Sequence, residues 1–243
     1  MDKVTIAQLK KKFSCDGYVV IPSVFTLDEV NAAKKVLLDA IKLAATLDPD
    51  ACTMLSPEAS EYEILTFLSQ ARYASPQLSI KLRRRIIEIV GYDVPEMIEA
   101  SVNLKNVAQQ ILGLTHFNYK LFLISICLPR SSHISEGLLG WHQDFDGAGK
   151  YTVWSPVLKH SSYQSGYLEF IPGIDEHLPH SIKSEHIRDV NTVSSKDLPK
   201  SSPVAVSCDL GDVIIWNSLT LHATGANESG IPRYAFLTWI DSD

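Results

Sequence analysis

The stretch Trp141-His142-Gln143-Asp144-Phe145-Asp146-Gly147 places a histidine and a carboxylate two residues apart, between aromatic side chains. Non-haem iron sites use two histidines and one carboxylate on one face of the metal and leave the other face open. Alternate residues of a strand point to the same side, so His142 and Asp144 can reach one metal ion if the stretch is extended. A His-any-Asp triplet also arises by chance as a polar surface patch. The rest of the chain must therefore supply a second histidine and a group that holds a co-substrate.

The composition is that of a globular protein with an acid excess. The chain has 243 residues, of which 45% are apolar and 21% charged, so one domain with a substantial core is expected. Its net charge of -6 argues against non-specific binding of nucleic acid and against an anionic membrane surface, since both need a cationic protein surface. We therefore expect neither nucleic acid nor membrane as a partner.

No part of the sequence predicts export or membrane insertion. The first residues lack an apolar core followed by a cleavage site, and the longest apolar run, Leu121 to Leu128, is too short to span a bilayer. The four cysteines are scattered and form no Cys-x-x-Cys pair, which argues against structural zinc and against a disulfide framework. Reduced thiols in a cytoplasmic protein are the simplest interpretation.

The first half of the chain has helical periodicity. Residues 5 to 13 carry apolar side chains on one helical face, and residues 18 to 21 form a short β-branched run. Thr26-Leu27-Asp28-Glu29 is a capping box that opens a helix running to Asp48-Pro49. Residues 56 to 113 have mostly helical spacing, with Ser56-Pro57-Glu58 as a start signal. We expect residues 1 to 115 to form a mainly helical cap and support.

At Phe117 the apolar period changes to that of short strands, separated by polar loops at 130 to 140 and 173 to 203. Helices followed by many short strands predict an α+β fold with a double-stranded β-helix, or jelly-roll, core in residues 116 to 243. Residues 1 to 243 would then form a single domain with N-terminal and flanking helices. The predicted strands are Leu121 to Leu128, Tyr151 to Val157, Gly166 to Ile171, Val204 to Val206, Asp212 to Trp216 and Arg233 to Ile240.

A second histidine, His222, follows the strand that ends at Trp216, and Arg233 opens the next strand. The two residues are eleven positions apart, which suits a hairpin with His222 on one strand and Arg233 at the start of its neighbour. Both side chains would then face the same barrel interior as His142 and Asp144.

Together these features resemble the phytanoyl-CoA dioxygenase-like branch of the iron(II)- and 2-oxoglutarate-dependent oxygenases. Residues 48 to 115 lie outside the resemblance. The family's usual Pro-Gly-Ser-His turn is replaced by Pro172-Gly173-Ile174-Asp175-Glu176-His177, so His177 is left out of the predicted site. The matching pieces, in the family's order, are Gln8 to Pro22 with the helix from Thr26, Trp141 to Asp144, Ser165 to Gly173, Leu210 to Val213, and His222 to Asn227 with Arg233.

The resemblance implies that His142, Asp144 and His222 bind iron(II), because neutral imidazoles and one carboxylate keep the charge of the centre low. 2-Oxoglutarate would chelate the metal through its 2-oxo and 1-carboxylate oxygens. Its distal carboxylate would bind Arg233, whose guanidinium is bidentate and always charged. Thr224 would supply the hydroxyl that the family usually places two residues after the distal histidine.

Several other polar residues have more than one interpretation. Gln143 and Trp154 are expected to line the co-substrate pocket, although simple packing explains each equally well. Lys120 is a further candidate for the near carboxylate, and Asp146 either touches substrate or holds the turn at Gly147. The remaining histidines are expected to lie in solvated loops or at a strand edge; they are His116, His133, His160, His177, His180 and His186.

The implied activity is that of a 2-oxoglutarate-dependent dioxygenase that uses iron(II), 2-oxoglutarate and O2. Its expected reaction is hydroxylation of a C–H bond in a small metabolite or natural-product intermediate, with release of succinate and CO2. Asp144 disfavours halogenation, because halogenating relatives replace this carboxylate with a small residue; desaturation, epoxidation and ring formation stay open. Two alternatives also stay open: a non-catalytic binding or scaffold protein on the same fold, and a cupin-type metal enzyme that does not use 2-oxoglutarate. The sequence does not predict the oligomeric state.

Overall fold

The N-terminal half folds into helices, in agreement with its periodicity. A computed structural model of the chain describes residues 3–91, 96–130, 139–144, 150–158, 165–183 and 191–242. Among these residues, none of the helices is long and apolar enough to cross a membrane. The helices are α1 (Lys3–Asp16), α2 (Leu27–Thr46), α3 (Glu61–Ala74), α4 (Pro76–Val90), α5 (Glu96–Glu99) and α6 (Val102–Val107), which continues as a π-helical turn over Ala108–Leu112.

Capping boxes decide where two of the long helices begin. The Thr26 hydroxyl accepts from the Glu29 N–H at 3.2 Å, and the Glu29 carboxylate accepts from the Thr26 N–H at 2.7 Å, as the sequence predicts. The predicted helix start at Ser56 is wrong, because α3 begins at Glu61 and is capped by Ser60. Ser60 pairs with Glu63 in a second capping box, whereas the Ser56 hydroxyl accepts from the Glu58 N–H and closes a turn instead.

The strands form two main antiparallel sheets. The larger sheet has the order β1-β8-β3-β10-β2, the smaller sheet has the order β7-β4-β9, and β5 pairs with β6. The N-terminal strand thus completes an edge of a sheet whose other strands all come from the second half. The strands are β1 (Tyr18–Ile21), β2 (Phe117–Cys127), β3 (Lys150–Pro156), β4 (Leu168–Ile171), β5 (Ile182–Lys183), β6 (Asn191–Thr192), β7 (Val204–Val206), β8 (Val213–Asn217), β9 (Leu221–Thr224) and β10 (Arg233–Ser242).

The larger sheet has a different hydrophobic cluster on each face. One cluster joins it to the helices: Leu37 of α2, Leu68 of α3 and Val153 of β3 are all fully buried there. The other lies between the two sheets and contains Phe170 of β4 and Trp216 of β8. Helices therefore cover the outer face of the larger sheet, and the smaller sheet covers its inner face. This arrangement confirms the predicted α+β fold with a double-stranded β-helix core.

The predicted hairpin between His222 and Arg233 is wrong. His222 lies on β9 of the smaller sheet, whereas Arg233 begins β10 of the larger sheet, so the two strands face each other across the sandwich. The connection from 225 to 232 is long enough to cross between sheets. Asn227 shapes it, because its amide donates to the carbonyl oxygens of Cys127 at 2.9 Å and Ile231 at 3.0 Å.

Candidate metal centre

Three side chains converge between the two sheets: His142, Asp144 and His222. Each offers one ligand atom, and these atoms all lie within 4.8 Å of one another. The Nε2 atoms of both histidines are 3.7 Å from Oδ1 of Asp144. Bonds of about 2.1 Å to a shared ion allow two ligand atoms to be separated by up to about 4.2 Å, so the two 3.7 Å separations from Asp144 fit one metal ion. The sequence prediction brought together the same three residues.

Backbone carbonyls fix the orientation of both imidazole rings. Nδ1 of His142 lies 2.8 Å from the Gly140 carbonyl oxygen, and Nδ1 of His222 lies 3.0 Å from the Thr220 carbonyl oxygen. A carbonyl can only accept, so each Nδ1 carries the proton and each Nε2 presents its lone pair to the shared position. Hydrogen bonds of this kind hold metal-binding histidines in the required tautomer.

The two histidines are neighbours on the smaller sheet. The backbones of His142 and His222 exchange two hydrogen bonds of 3.0 Å in an isolated antiparallel bridge. His142 thereby extends the edge of β9, but the expected strand through Asp144 is not formed, since the chain bends at that residue. Asp144 reaches the shared position because of this bend and not through strand alternation.

Asp144 is held from the larger sheet. Its Oδ2 accepts from the Thr152 hydroxyl at 2.5 Å and from the Trp216 indole N–H at 2.8 Å, which leaves Oδ1 to face the histidines. Burial works to raise the pKa of Asp144, but the two histidines and the two donors outweigh it and lower that pKa. Burial, aided by the proximity of His222, lowers the pKa of His142 to about 3. Both groups are therefore in the protonation state that binds a metal ion.

A cavity of about 530 Å³ opens beside the triad. Trp154 and Thr224 both line this cavity. Trp154 follows Thr152 by two residues on β3, and Thr224 follows His222 by two residues on β9. Two residues of a strand advance by about 6.6 Å. Trp154 of the larger sheet and Thr224 of the smaller sheet are thus wall residues of one cavity, each one such step from a residue that belongs to the triad or bonds to it.

Arg233 is not among the residues that line this cavity, but it contacts two that do, Trp154 and Ser125. It is 2% exposed and donates to the Gly166 carbonyl oxygen, in the turn before β4, and to the Ser125 hydroxyl at 3.4 Å. Its guanidinium carbon lies 5.2 Å from the centre of the Trp154 ring. Burial lowers the pKa of Arg233, and Nε has no hydrogen-bond partner among the described residues. A guanidinium stays charged in proteins, so a buried one without a carboxylate favours the binding of an anion.

Gln143 has its side chain engaged by backbone groups. Nε2 donates to the carbonyl oxygens of Glu176 at 2.8 Å and Leu219 at 2.6 Å, and Oε1 accepts from the Leu178 N–H at 2.8 Å. The residue borders the cavity, but both of its amide hydrogens are already used. This placement favours the packing interpretation of Gln143 over a contact with co-substrate. Lys120 is exposed and is not among the residues that line the cavity.

Three residues of the site were missed by the sequence reasoning. His177 and His180 border the cavity with their rings stacked at 4.8 Å, and His180, expected to be solvated, is half-buried with both ring nitrogens hydrogen-bonded. Burial lowers the pKa of His180. Ser125 of β2 contacts Arg233. It lies two residues before the end of that strand, and this position identifies it as a partner of Arg233 only once the register between β2 and β10 is known. Asp146, His133, His160 and His186 lie outside the described residues.

Two histidines and one carboxylate between the sheets of a double-stranded β-helix, with a buried arginine nearby, are typical of the class of iron(II)- and 2-oxoglutarate-dependent oxygenases. The family model of phytanoyl-CoA dioxygenase (PhyH) matches residues 13–235, and the chain belongs to this family. The predicted membership in the phytanoyl-CoA dioxygenase-like family is thus confirmed. Comparison with curated protein sequences finds no match.

Solved structures share the fold over nearly the whole chain. EvdO2 from Micromonospora carbonacea var. aurantiaca has a TM-score of 0.64 at 20% identity, covering 100% of this chain and 91% of that one. The epimerase SnoN, in complex with Fe3+, alpha ketoglutarate and nogalamycin RO, has a TM-score of 0.61 at 17% identity, covering 99% and 85%. EctD from S. alaskensis, with 2-oxoglutarate and 5-hydroxyectoine, has a TM-score of 0.60 at 18% identity, covering 100% and 76%. At these identities the similarity establishes the fold alone.

Proposed function

We propose that this protein is a dioxygenase that hydroxylates a C–H bond of a small metabolite or natural-product intermediate, with His142, Asp144 and His222 as the iron(II) ligands. Iron(II), 2-oxoglutarate and O2 together supply an oxidant strong enough to attack a C–H bond, with succinate and CO2 as co-products. The observation that carries the proposal is the buried Arg233, which has no anionic partner among the described residues and contacts Ser125 and Trp154 in the wall of the cavity that the triad borders.

The chain's own residues have distinct tasks in this proposal. The triad binds the metal with both imidazoles neutral and Asp144 ionised. Arg233 binds the distal carboxylate of 2-oxoglutarate through its guanidinium, and Ser125 keeps that guanidinium in place with a hydrogen bond of 3.4 Å. Thr224 and Trp154 form the walls between them. A co-substrate held at its far end would have its 2-oxo end free to bind the metal, and the indole of Trp154 would help to exclude water there.

The metal ligands themselves disfavour halogenation and leave the other reactions of this class open. Asp144 is partly buried and hydrogen-bonded twice through Oδ2, so a carboxylate holds the position that halogenating relatives leave to a halide. The relatives carry out more than one reaction, since SnoN is an epimerase. The reaction of this chain is therefore part of the proposal, and so is a small-molecule substrate in the remaining part of the cavity.

We also propose that the chain acts as one catalytic unit in a reducing compartment, the cytoplasm. One continuous hydrophobic cluster includes Leu37 and Leu68 from the helices together with Val153 and Phe236 from the larger sheet. This supports a single domain in which residues 1 to 115 cap and support the core in 116 to 243. All four cysteines are free, which is compatible with reduced thiols.

The proposal is tested by anaerobic titration of the metal-free protein with iron(II) and then 2-oxoglutarate, followed through the visible charge-transfer absorption of the chelate. We expect the absorption to appear, to be lost in His222→Ala, and to need much more 2-oxoglutarate in Arg233→Ala. Saturating ligand at a hundredfold excess over its dissociation constant should raise the free energy of unfolding by about 2.7 kcal/mol. His116→Ala and Arg84→Ala replace exposed residues of the same types and serve as matched controls.

The outcomes separate the alternatives. If iron(II) binds but 2-oxoglutarate produces no absorption, the co-substrate assignment is wrong and a metal enzyme that does not use 2-oxoglutarate is favoured. If no metal binds, the fold serves a binding or scaffold function. If the absorption forms, release of succinate on addition of O2 and candidate substrates, with the mass of the product, decides between hydroxylation and the other reactions.

A further inference from the structure

Gln143, the residue between the proposed ligands His142 and Asp144, has its side chain hydrogen-bonded to three backbone groups in two other segments. Gln143 is 6% exposed, and its side chain contacts the Glu176 and Leu178 backbone on one side and the Leu219 backbone on the other. Leu219 precedes His222 by three residues on the same turn into β9. The Gln143 amide thus connects the ligand pair His142 and Asp144 to the turn that precedes the third ligand, His222, and to the segment after β4.

His180 makes the same connection from the opposite direction. Its Nε2 accepts from the Gln143 backbone N–H at 2.9 Å, and its Nδ1 lies 2.8 Å from the Leu178 carbonyl oxygen. The carbonyl fixes the proton on Nδ1, so Nε2 is an acceptor and the ring is neutral in this arrangement. Three hydrogen bonds therefore join Gln143 to the 176–180 segment. Two involve its side-chain amide and one involves its backbone N–H.

The 176–180 segment also forms part of the cavity wall, since His177 and His180 both line the cavity. Movement of this segment displaces Gln143, and displacement of Gln143 moves the ligands on either side of it. Partly buried hydrogen bonds among fixed backbone groups transmit such displacements, because each broken bond leaves a donor or acceptor unsatisfied.

We propose that Gln143 is a positioning residue that couples the metal ligands to the 176–180 segment of the cavity wall. The role rests on the proposed metal centre and replaces a direct contact between Gln143 and co-substrate. Coupling is reciprocal: if the segment helps to hold the ligands for a metal ion, then a bound metal ion must make the segment more ordered by the same factor.

The test uses Co(II) alone, without 2-oxoglutarate, on the full chain and its variants. Gln143→Leu removes all three side-chain hydrogen bonds, and His180→Phe keeps a ring while removing the acceptor for the Gln143 N–H. Gln70→Leu, on the exposed face of α3, and His116→Phe, at an exposed position outside the cavity lining, are the matched controls. The dissociation constant comes from the visible absorption of bound Co(II), whose band shape also reports coordination geometry.

We expect Gln143→Leu to weaken Co(II) binding by about 10- to 100-fold, the usual effect of removing a group that orients metal ligands. Amide hydrogen exchange adds a readout that a purely structural role does not change. In the unmodified protein, Co(II) should slow exchange over 174–180 about fivefold or more, and in Gln143→Leu this slowing should disappear. His180→Phe should shift both quantities in the same direction, and both controls should behave like the unmodified protein.

The proposal is overturned if Gln143→Leu folds, binds Co(II) within threefold of the unmodified protein and keeps the metal-dependent slowing of exchange. If Gln143→Leu does not fold, His180→Phe decides by the same two criteria. If the unmodified protein itself binds no Co(II), the metal centre is refuted and the positioning role falls with it. If it binds Co(II) but both variants match it, the positioning role alone is refuted.

Discussion

Trp216 gives the sharpest test of how the carboxylate is held. Its indole N–H donates to Oδ2 of Asp144 at 2.8 Å, and its ring lies 4.8 Å from that of His222. Trp216→Phe removes this donor and keeps an aromatic ring. A hydrogen bond to a charged group contributes about 1.5–3 kcal/mol, but Thr152 still donates to the same oxygen. We therefore expect a loss of binding free energy near the lower end of this range, about 1.4 kcal/mol, which makes Co(II) binding tenfold weaker.

The control for this prediction is Trp154→Phe on the neighbouring strand. Trp154 is also buried, at 4% exposed, but its indole N–H has no hydrogen-bond partner among the described residues. Both substitutions leave a similar void and should lower the free energy of unfolding by about 1–2 kcal/mol. Only Trp216→Phe should lower the affinity for Co(II), which is measured by calorimetric titration without 2-oxoglutarate. Equal affinities in the two variants would show that the hydrogen bond to Asp144 does not orient the ligand.

Further predictions concern the arginine, a buried ion pair and a turn. Arg233→Lys keeps the charge and loses the bidentate fork, so 2-oxoglutarate affinity measured by calorimetry should fall about tenfold, with metal affinity unchanged. Lys81 forms an ion pair of 2.7 Å with the fully buried Asp48 and lowers its pKa against the opposing effect of burial. The Asp48 carboxylate therefore stabilises the fold above its unfolded pKa, and this contribution is lost as pH falls through the lower folded value. Asp48→Asn should therefore lower the free energy of unfolding by about 2 kcal/mol in urea titrations at neutral pH and by much less near pH 3; an equal loss at both would contradict the ion pair. Gly211 has a φ of +86°, and a Cβ there would lie 2.6 Å from the Phe25 carbonyl oxygen, so Gly211→Ala should cost at least about 2 kcal/mol in a thermal melt; an unchanged melting temperature would refute the strain.

Local features of the chain were predictable where one short pattern decides the outcome. The strands Tyr18–Ile21 and Val204–Val206 agree with their predicted bounds, since each is a short β-favouring run ended by turn residues. The capping box at Thr26 specifies a helix start because both of its partners lie within four residues. The triad was predictable for a different reason: it depended on matching a family's motifs in order.

Features that depend on contacts between distant segments were not predictable. The spacing of His222 and Arg233 is compatible with a hairpin and with a crossing between sheets, and only the packing of the sandwich selects the crossing. His180 looks like a loop histidine in the sequence, since its partners Gln143 and Leu178 are backbone groups with no sequence signature. Ser125 reaches Arg233 because Arg233 pairs with Cys127 and Ala235 with Ser125, and this pairing of two distant segments has no local sequence signal.

The two sheets contribute unequally to the proposed centre. His142 and His222 are paired on the smaller sheet, whereas the carboxylate of Asp144 is fastened to Thr152 and Trp216 on the larger one. An ion bonded to all three acts as a cross-link between the layers of the sandwich. Its dissociation rate would then report how often the layers separate, and hydrostatic pressure or mild denaturant should release the ion before the helices melt. Loading the metal would also become a late step of maturation, because the binding position exists only after both layers have docked.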